Sequence, residues 1–251
     1  MRRGERRVAQ LPRPLLTGFV LMFFLQLICH HFNQSDAASS YRSLTRPYSA
    51  EVYRVLSIGS ERLLSALLAV RIQLHDNQAG QHLRYNLMDY SILVEWLERI
   101  SELDPGSEYP MLLASRIYTQ TRDEQQLRQI IRYIEREFDT NPPLHWRRLA
   151  EVVVIARHQL DDLELALRLS EKIAAQPLGA IIPHWARDLQ FLVLAELNEL
   201  EAAITIIQAM LVSGSISDVD ERHFLQEKLS SYQQKLSEFR HSERGSTNWS
   251  N

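Results

Sequence analysis

Cysteine, glycine and net charge are all scarce in this sequence of 251 residues. The one cysteine, Cys29, cannot form an intramolecular disulfide, and it cannot build a zinc site from cysteine ligands. With only 8 glycines, the sequence favours helices over the many tight turns of a β-sheet protein. The net charge of −3 argues against a nucleic-acid binder that works by releasing counterions from phosphates. We therefore expect no nucleic-acid partner.

The familiar catalytic motifs are also missing. The sequence contains no glycine-rich phosphate loop, no Gly-x-Ser-x-Gly nucleophile elbow and no His-Glu-x-x-His metal motif. Charged residues make up 24% and apolar residues 45%, which is ordinary for a folded domain. We expect no enzyme activity, no cofactor, no metal and no small-molecule substrate.

The N-terminal part of the chain combines arginines with a long apolar run. Residues 1–13 contain five arginines, and the uncharged run that follows extends from residue 15 to about residue 32. As a helix, this run spans roughly 27 Å, enough for the hydrocarbon core of a bilayer. It predicts a transmembrane signal anchor over residues 14–32. By the positive-inside rule, the basic segment 1–13 would lie in the cytoplasm.

Two alternatives to an uncleaved anchor stay open. A basic flank before an apolar run also describes a cleaved secretory signal, for which Ser35-Asp36-Ala37 is the best cleavage site. Cys29 is a poor lipidation site, because Ile28 precedes it where a small residue is required. If the anchor is retained, the rest of the chain lies across a bacterial inner membrane, in the periplasm. That oxidising compartment suits a chain with no further cysteine to mispair.

After the apolar run, the pattern is helical. Residues 33–49 are polar and rich in serine, and they predict a short linker. From residue 50 to 240 apolar residues recur with the period of a helix, and no stretch alternates like a strand. The predicted fold class is all-α. A helical-hairpin repeat domain over 50–215 would be followed by a capping helix over 216–240 and a flexible tail over 241–251.

Three successive stretches of the repeat domain share one plan. Each consists of a helix, a short acidic turn, a second helix and a break that contains proline. The turns lie near Asp123, Asp161 and Glu199, at intervals of 38 residues. A period of about 35 to 40 residues with two helices is typical of a helical-hairpin solenoid. Because one hairpin cannot bury its apolar face alone, stacked hairpins need the same residue types at the same places.

The clearest repeat is a pair of near-copies, "PLHWRRL" at 143–149 and "PHWARDL" at 183–189. Each begins a helix with a tryptophan, Trp146 or Trp185, which we expect to fill the gap between the two helices of a hairpin. The small residues Ala150 and Ala166 would let neighbouring helices approach closely.

This pattern resembles the tetratricopeptide repeat, over residues 83–215. That family has an early aromatic residue, a small residue near a leucine, an alanine in the second helix and a closing proline. Here these positions are matched by Trp146, Leu149, Ala150, Ala166 and Pro177.

The sequence also departs from the family pattern. The units are a few residues longer than the family's 34. Ala150 stands where the family has glycine, and the third unit is out of step by one residue between Trp185 and Leu189.

The resemblance implies an interaction scaffold. First helices of such repeats line a groove that takes an extended or helical peptide from a protein partner. The candidate groove residues are polar and lie on those helices: Arg147, Glu151, Arg187 and Gln190. The anchor would hold this groove at the outer face of the inner membrane. Alternatively, the chain is a structural subunit of a membrane complex, held through its anchor helix and convex face, with no groove ligand.

The histidines do not require a metal. His158, Asp161 and Asp162 have ligand-like spacing, but a histidine at a helix end and aspartates that cap the next helix explain them equally well. His145 and His184 occupy equivalent repeat positions, roughly 10 Å apart, which favours packing over a shared site.

Overall fold

The computed structural model describes residues 13–34, 43–76, 88–177, 181–214, 216 and 218–247. Within these ranges every regular element is a helix and none is a strand, so the predicted all-α fold class is confirmed. The basic residues 1–12 and the possible cleavage site Ser35-Asp36-Ala37 lie outside the described residues. The α-helices are α1 (Arg13–Gln34), α2 (Ala50–Leu56), α3 (Glu61–Asp76), α4 (Tyr90–Leu103), α5 (Tyr109–Arg116), α6 (Glu124–Thr140), α7 (Pro142–His158), α8 (Leu163–Ala174), α9 (His184–Glu196), α10 (Leu200–Val212) and α11 (Val219–Thr247).

The chain divides into two compact units, Met1–Ser43 and Leu44–Asn251. The first unit contains α1, whose side chains from Thr17 to Ile28 are exposed. No helix in the described part of the chain has the combined length and apolarity needed to cross a bilayer. The structure therefore does not support the transmembrane helix that the sequence predicts over residues 14–32.

The second unit is a series of helical hairpins. Each helix from α6 to α11 packs on the next one along the chain. Corresponding helices of neighbouring hairpins also touch, since α4 contacts α6, α5 contacts α7, and α7 contacts α9. This double set of neighbours is what a stack of repeated hairpins requires, because each apolar face must be covered by the adjoining unit.

The hairpin turns explain how a chain with little glycine reverses direction so often. Asp161 and Asn198 adopt left-handed backbone conformations, with φ of 53° and 62°, just before α8 and α10 begin. Asp and Asn tolerate this region because their short polar side chains can bond locally. Asp123 and Asp162 then cap α6 and α8 by accepting from Gln126 N and Leu165 N, each at 2.9 Å.

Ion pairs between corresponding helices join residues that are about one repeat length apart in the sequence. These pairs join residues that are 33 to 39 positions apart, close to one repeat. They link every neighbouring pair of corresponding helices from α4 to α9, which fixes the register of one hairpin against the next. The pairs are Glu98–Arg136, Arg116–Glu151, Glu135–Arg168, Asp139–Lys172 and Arg157–Glu196.

The core has two parts. The larger cluster extends from Leu44 to Val193 and includes the fully buried Trp96, Tyr118 and Phe138. The smaller cluster joins α9, α10 and α11, where Phe191 and Leu225 are both 0% exposed. The polar helix α11 thus covers the last hairpin, as a capping helix must.

Three boundaries differ from those expected. The compact domain begins at Leu44. Leu44 is buried, and the backbone oxygen of Thr45 accepts a hydrogen bond from Trp96 Nε1 at 2.8 Å. Part of the predicted linker 33–49 therefore belongs to the folded domain. A left-handed turn at Ile58 and Gly59, with φ of 49° and 83°, separates α2 from α3. Helix α11 continues to Thr247, into the stretch predicted as a tail.

Candidate protein-binding groove

A groove of about 810 Å³ lies beside α7 and the start of α9. Its volume is in the range of pockets that hold peptide side chains or small ligands. Five of the residues singled out from the sequence line it, and its other lining residues are apolar. The lining residues are Trp146, Arg147, Ala150, Glu151, Val154, Ile181, Ile182, Pro183 and Trp185.

The two equivalent tryptophans meet in this groove. Their ring centroids are 5.5 Å apart and their planes are inclined by 66°, which is an edge-to-face contact. Trp146 is only 8% exposed, as a packing residue should be, whereas Trp185 is 51% exposed. The sequence predicts the same packing role for both tryptophans. In the structure only Trp146 is buried as a packing residue, whereas the ring of Trp185 is half exposed to solvent.

The two small residues predicted to allow close helix packing are both buried. Ala150 is 3% exposed on α7, and Ala166 is 0% exposed on α8. Both belong to the larger core cluster, and Ala150 also forms part of the groove floor.

Arg147 is the exposed cation of the groove. Its guanidinium carbon lies 5.3 Å from the centroid of the Trp146 ring, in a cation–π contact. No carboxylate in the described part of the chain forms an ion pair with it. The indole therefore holds the guanidinium in place while leaving its five donors available.

Glu151, the second polar residue predicted for the groove, already forms ion pairs with two arginines of the same chain. It accepts from Arg116 Nη2 at 2.6 Å and from Arg148 Nη1 at 2.9 and 3.1 Å. Arg148 is 8% exposed, and it also lies 3.7 Å from Glu108. Glu151 therefore serves as a link between α5 and α7, and its negative charge is compensated within the protein.

Arg187 lies elsewhere and has a different role. It is 7% exposed, and its guanidinium donates to the carbonyl oxygens of Ala174, Gln176 and Pro177 at 2.7 to 3.0 Å. Burial lowers the pKa of this guanidinium. Since these carbonyls end α8, Arg187 caps that helix from α9. This differs from the exposed groove position expected for it.

Gln190, the fourth predicted groove residue, is half-buried and is absent from the groove lining. The aliphatic part of the groove lining was not predicted from the sequence. Val154 is 43% exposed and Ile181 is 82% exposed, while Ile182 is buried. The signal for this aliphatic part is the run "AIIP", which places two consecutive isoleucines in a connection between helices.

The histidines and the neighbouring carboxylates form no metal centre in the residues that the structure describes. His145 is 3% exposed, its Nδ1 has no hydrogen-bond partner, and burial lowers its pKa. Asp162 caps α8 and accepts from Arg128 Nη1 at 2.6 Å. These contacts account for Asp162 without a metal.

A buried carboxyl group, Asp188, lies near a half-buried one, Glu221, and neither lines the groove. Asp188 on α9 is 3% exposed, and burial, followed by the hydrogen bond and charge of Glu221 on α11, raises the pKa of Asp188 to about 8. Asp188 Oδ1 and Glu221 Oε1 are both buried atoms with no hydrogen-bond partner among the described residues. The raised pKa indicates that Asp188 keeps its proton near neutral pH.

Comparisons of the chain with protein-family models, curated proteins and solved structures find no match.

Proposed function

We propose that this chain is a protein-interaction scaffold with a tetratricopeptide-like architecture, and that the groove beside α7 binds a segment of a protein partner. The observation that carries the proposal is the half-exposed ring of Trp185, which packs edge to face against the buried ring of Trp146. A large aromatic side chain that is half exposed gains free energy when a partner covers it. Tryptophan and arginine, which lie side by side here, are the residues most enriched at the centres of protein interfaces.

The surroundings of Trp185 support the same function. The exposed aliphatic residues Val154 and Ile181 also line the groove, and so does the cation Arg147. An apolar centre with a polar rim is the usual anatomy of a protein interface.

The proposed location rests on the sequence. The uncharged run from residue 15 to about residue 32 would span roughly 27 Å as a helix, and the preceding arginines favour a cytoplasmic N-terminus. No described helix combines the length and apolarity of a membrane span, so the proposal depends on the sequence pattern alone. We propose that this segment anchors the chain in a bacterial inner membrane and that the hairpins face the periplasm, where they meet their partner.

Site-specific photocrosslinking in cells tests the proposed groove. A photoreactive amino acid would replace Trp185 in one variant and Val212 in another. Val212 is 86% exposed and lies outside the groove, which makes it the matched control. We expect a discrete crosslinked protein from position 185 and none from position 212. The same crosslinks from both positions, or none from position 185, would contradict a binding groove.

A second candidate function is favoured by an apolar stripe on α3. Leu63, Leu67, Val70 and Leu74 are 46% to 65% exposed, although the opposite face of α3 is buried in the core. Their spacing of four, three and four residues is typical of a seam between two helices. A structural subunit of a membrane complex would use such a face, and the groove would then be without a ligand.

A further inference from the structure

We propose that the groove selects a peptide segment in which a large apolar side chain is followed closely by a carboxylate. The apolar side chain would lie against Trp185 and Val154, and the carboxylate would pair with Arg147. This inference rests on the proposed scaffold function and adds the chemistry of the partner.

Charge determines which partner the groove accepts. Within and next to the groove, Glu151 is compensated by Arg116 and Arg148, at 2.6 and 2.9 Å. The guanidinium of Arg147 is the groove charge that no described carboxylate balances. An approaching carboxylate therefore meets an uncompensated cation, whereas an approaching lysine or arginine meets a like charge.

Geometry makes Arg147 a better partner than a mobile surface arginine. Its stacking on Trp146 restricts the guanidinium to the groove edge, so less side-chain entropy is lost when it binds. A planar guanidinium can also bind a carboxylate through two parallel hydrogen bonds. The indole of Trp146 that contacts Arg147 also contacts the ring of Trp185, so the cation and the exposed aromatic ring share one neighbour in the groove.

The remaining lining selects for apolar character. Trp185, Val154 and Ile181 line the groove and are 51%, 43% and 82% exposed, so the groove offers both an aromatic ring and aliphatic side chains to a partner. A leucine or phenylalanine bound in the groove would remove part of this apolar surface from water. A peptide with carboxylates alone would leave that surface uncovered and would gain only a screened ion pair.

Fluorescence anisotropy with defined peptides tests the inference on the full-length chain in a mild detergent. The first probe is fluorescein-labelled Ser-Gly-Leu-Phe-Glu-Asp-Gly-Ser. Its first control replaces Glu and Asp by Gln and Asn, and its second replaces Leu and Phe by Ser. We expect the first probe to bind about tenfold more tightly than either control, since one partly desolvated charge pair or one buried apolar side chain is worth about that factor.

Two protein variants assign this preference to the groove. Arg147→Glu should abolish the preference for the acidic probe and favour a probe in which Glu and Asp are replaced by Lys. Arg122→Glu is the matched control, because Arg122 is exposed and is not part of the groove lining. We expect Arg122→Glu to bind the acidic probe like the unchanged chain.

The outcomes separate this inference from the proposed function. If Trp185→Ala weakens binding of the acidic and amide probes alike and Arg147→Glu changes neither, the groove binds apolar peptides and the inferred carboxylate preference is overturned. Equal effects of Arg147→Glu and Arg122→Glu would show general charge attraction and would also overturn it. The absence of saturable binding by every probe would overturn the inference, while the cellular crosslink from position 185 would test the scaffold independently.

Discussion

Trp146 and Trp185 occupy equivalent positions in successive hairpins, yet their rings touch, with centroids 5.5 Å apart. Backbones at equivalent positions of stacked helices are separated by roughly 8 to 10 Å, a gap that two indoles bridge. The ring of Trp146 is covered in part by Trp185 of the following hairpin. Trp185 belongs to the last hairpin, and its ring is therefore left open.

This arrangement predicts unequal effects of the two tryptophans on stability. Trp146→Ala should lower the free energy of unfolding by about 3 kcal/mol or more, because it empties a buried site. Trp185→Ala should lower it by about 1 kcal/mol, because it removes one edge-to-face contact of a half-exposed ring. Chemical denaturation followed by circular dichroism measures both. Equal losses would show that Trp185 is a core residue and would weaken its assignment to binding.

Arg187 is predicted to be structural. Arg187→Ala removes the donors for the carbonyls of Ala174, Gln176 and Pro177, and should cost about 2 to 3 kcal/mol of unfolding free energy. Arg147→Ala is the comparison, since Arg147 is exposed and makes no ion pair with the described residues. It should change stability by less than about 1 kcal/mol. The reverse order in a denaturant titration would contradict the assigned roles.

The pairing of Asp188 with Glu221 predicts a pH-dependent stability. The pKa of Asp188 is raised from its ordinary 3.8 to about 8 in the folded protein. Between these two pH values the folded chain holds a proton that the unfolded chain has released, so the free energy of unfolding falls as pH rises. The contribution is complete below about pH 3.8 and is lost as pH passes through about 8.

Asp188→Asn tests this pH dependence. The amide stays neutral at all pH values, so the variant should lack the decline between pH 4 and 8 and should exceed the unchanged chain in stability above pH 8. Asp220→Asn, an exposed position on α11, serves as the control and should retain the decline. Thermal unfolding across this pH range provides the measurement. Parallel curves for Asp188→Asn and the unchanged chain would show that the pKa of Asp188 is not raised in the folded protein.

Ile58 is predicted to be a strained position. Its φ of 49° is left-handed and costs a β-branched residue roughly 1 kcal/mol or more. Its side chain is 93% exposed, so little packing is lost when it is replaced. Ile58→Asn should therefore raise the free energy of unfolding by about 1 kcal/mol. Val55→Asn, at an 80% exposed helical position, should not stabilise the chain.

The apolar stripe of α3 predicts an association that a single charge would disrupt. Leu67 lies at the centre of the stripe and is 57% exposed, so Leu67→Glu should leave folding intact. If α3 is a subunit contact, this change should release the chain from its complex in detergent-solubilised membranes, whereas Val212→Glu should not. Retention of the complex by Leu67→Glu would remove the support for the structural-subunit alternative.

Local patterns in the sequence were sufficient to predict the hairpins. The helical period, the acidic turns and the tryptophans at helix starts are local signals, because each depends on residues close together in the chain. The structure has helices where the period predicts them, and it has turns near Asp123 and Asp161. The break between α2 and α3 was not predicted, because Ile58 gives no sign of a left-handed turn and only Gly59 marks it.

The groove was harder to predict, because it depends on contacts between distant residues. Counted from the repeated tryptophans, Arg187 corresponds to Arg148 and not to Arg147, and Arg148 and Arg187 are both buried. Their partners, Glu151 for Arg148 and the carbonyls at the end of α8 for Arg187, are evident only from the structure. The sequence around Glu151 likewise predicts an ordinary solvent-exposed position on a helix. The negative charge of Glu151 is compensated in part by Arg116, which lies 35 residues earlier in the chain. Sequence spacing can place such residues on the correct helix, but it cannot show which charge is already satisfied.

The capping helix α11 has a consequence for how the domain can be extended. One end of the hairpin series is closed, because α11 buries Leu225 and Tyr232 against the last hairpin and turns a polar face outward. The α3 stripe near the other end is still apolar and open. The two ends of the domain are therefore unlike: the face of α3 would gain free energy if another helix covered it, whereas α11 already covers the last hairpin.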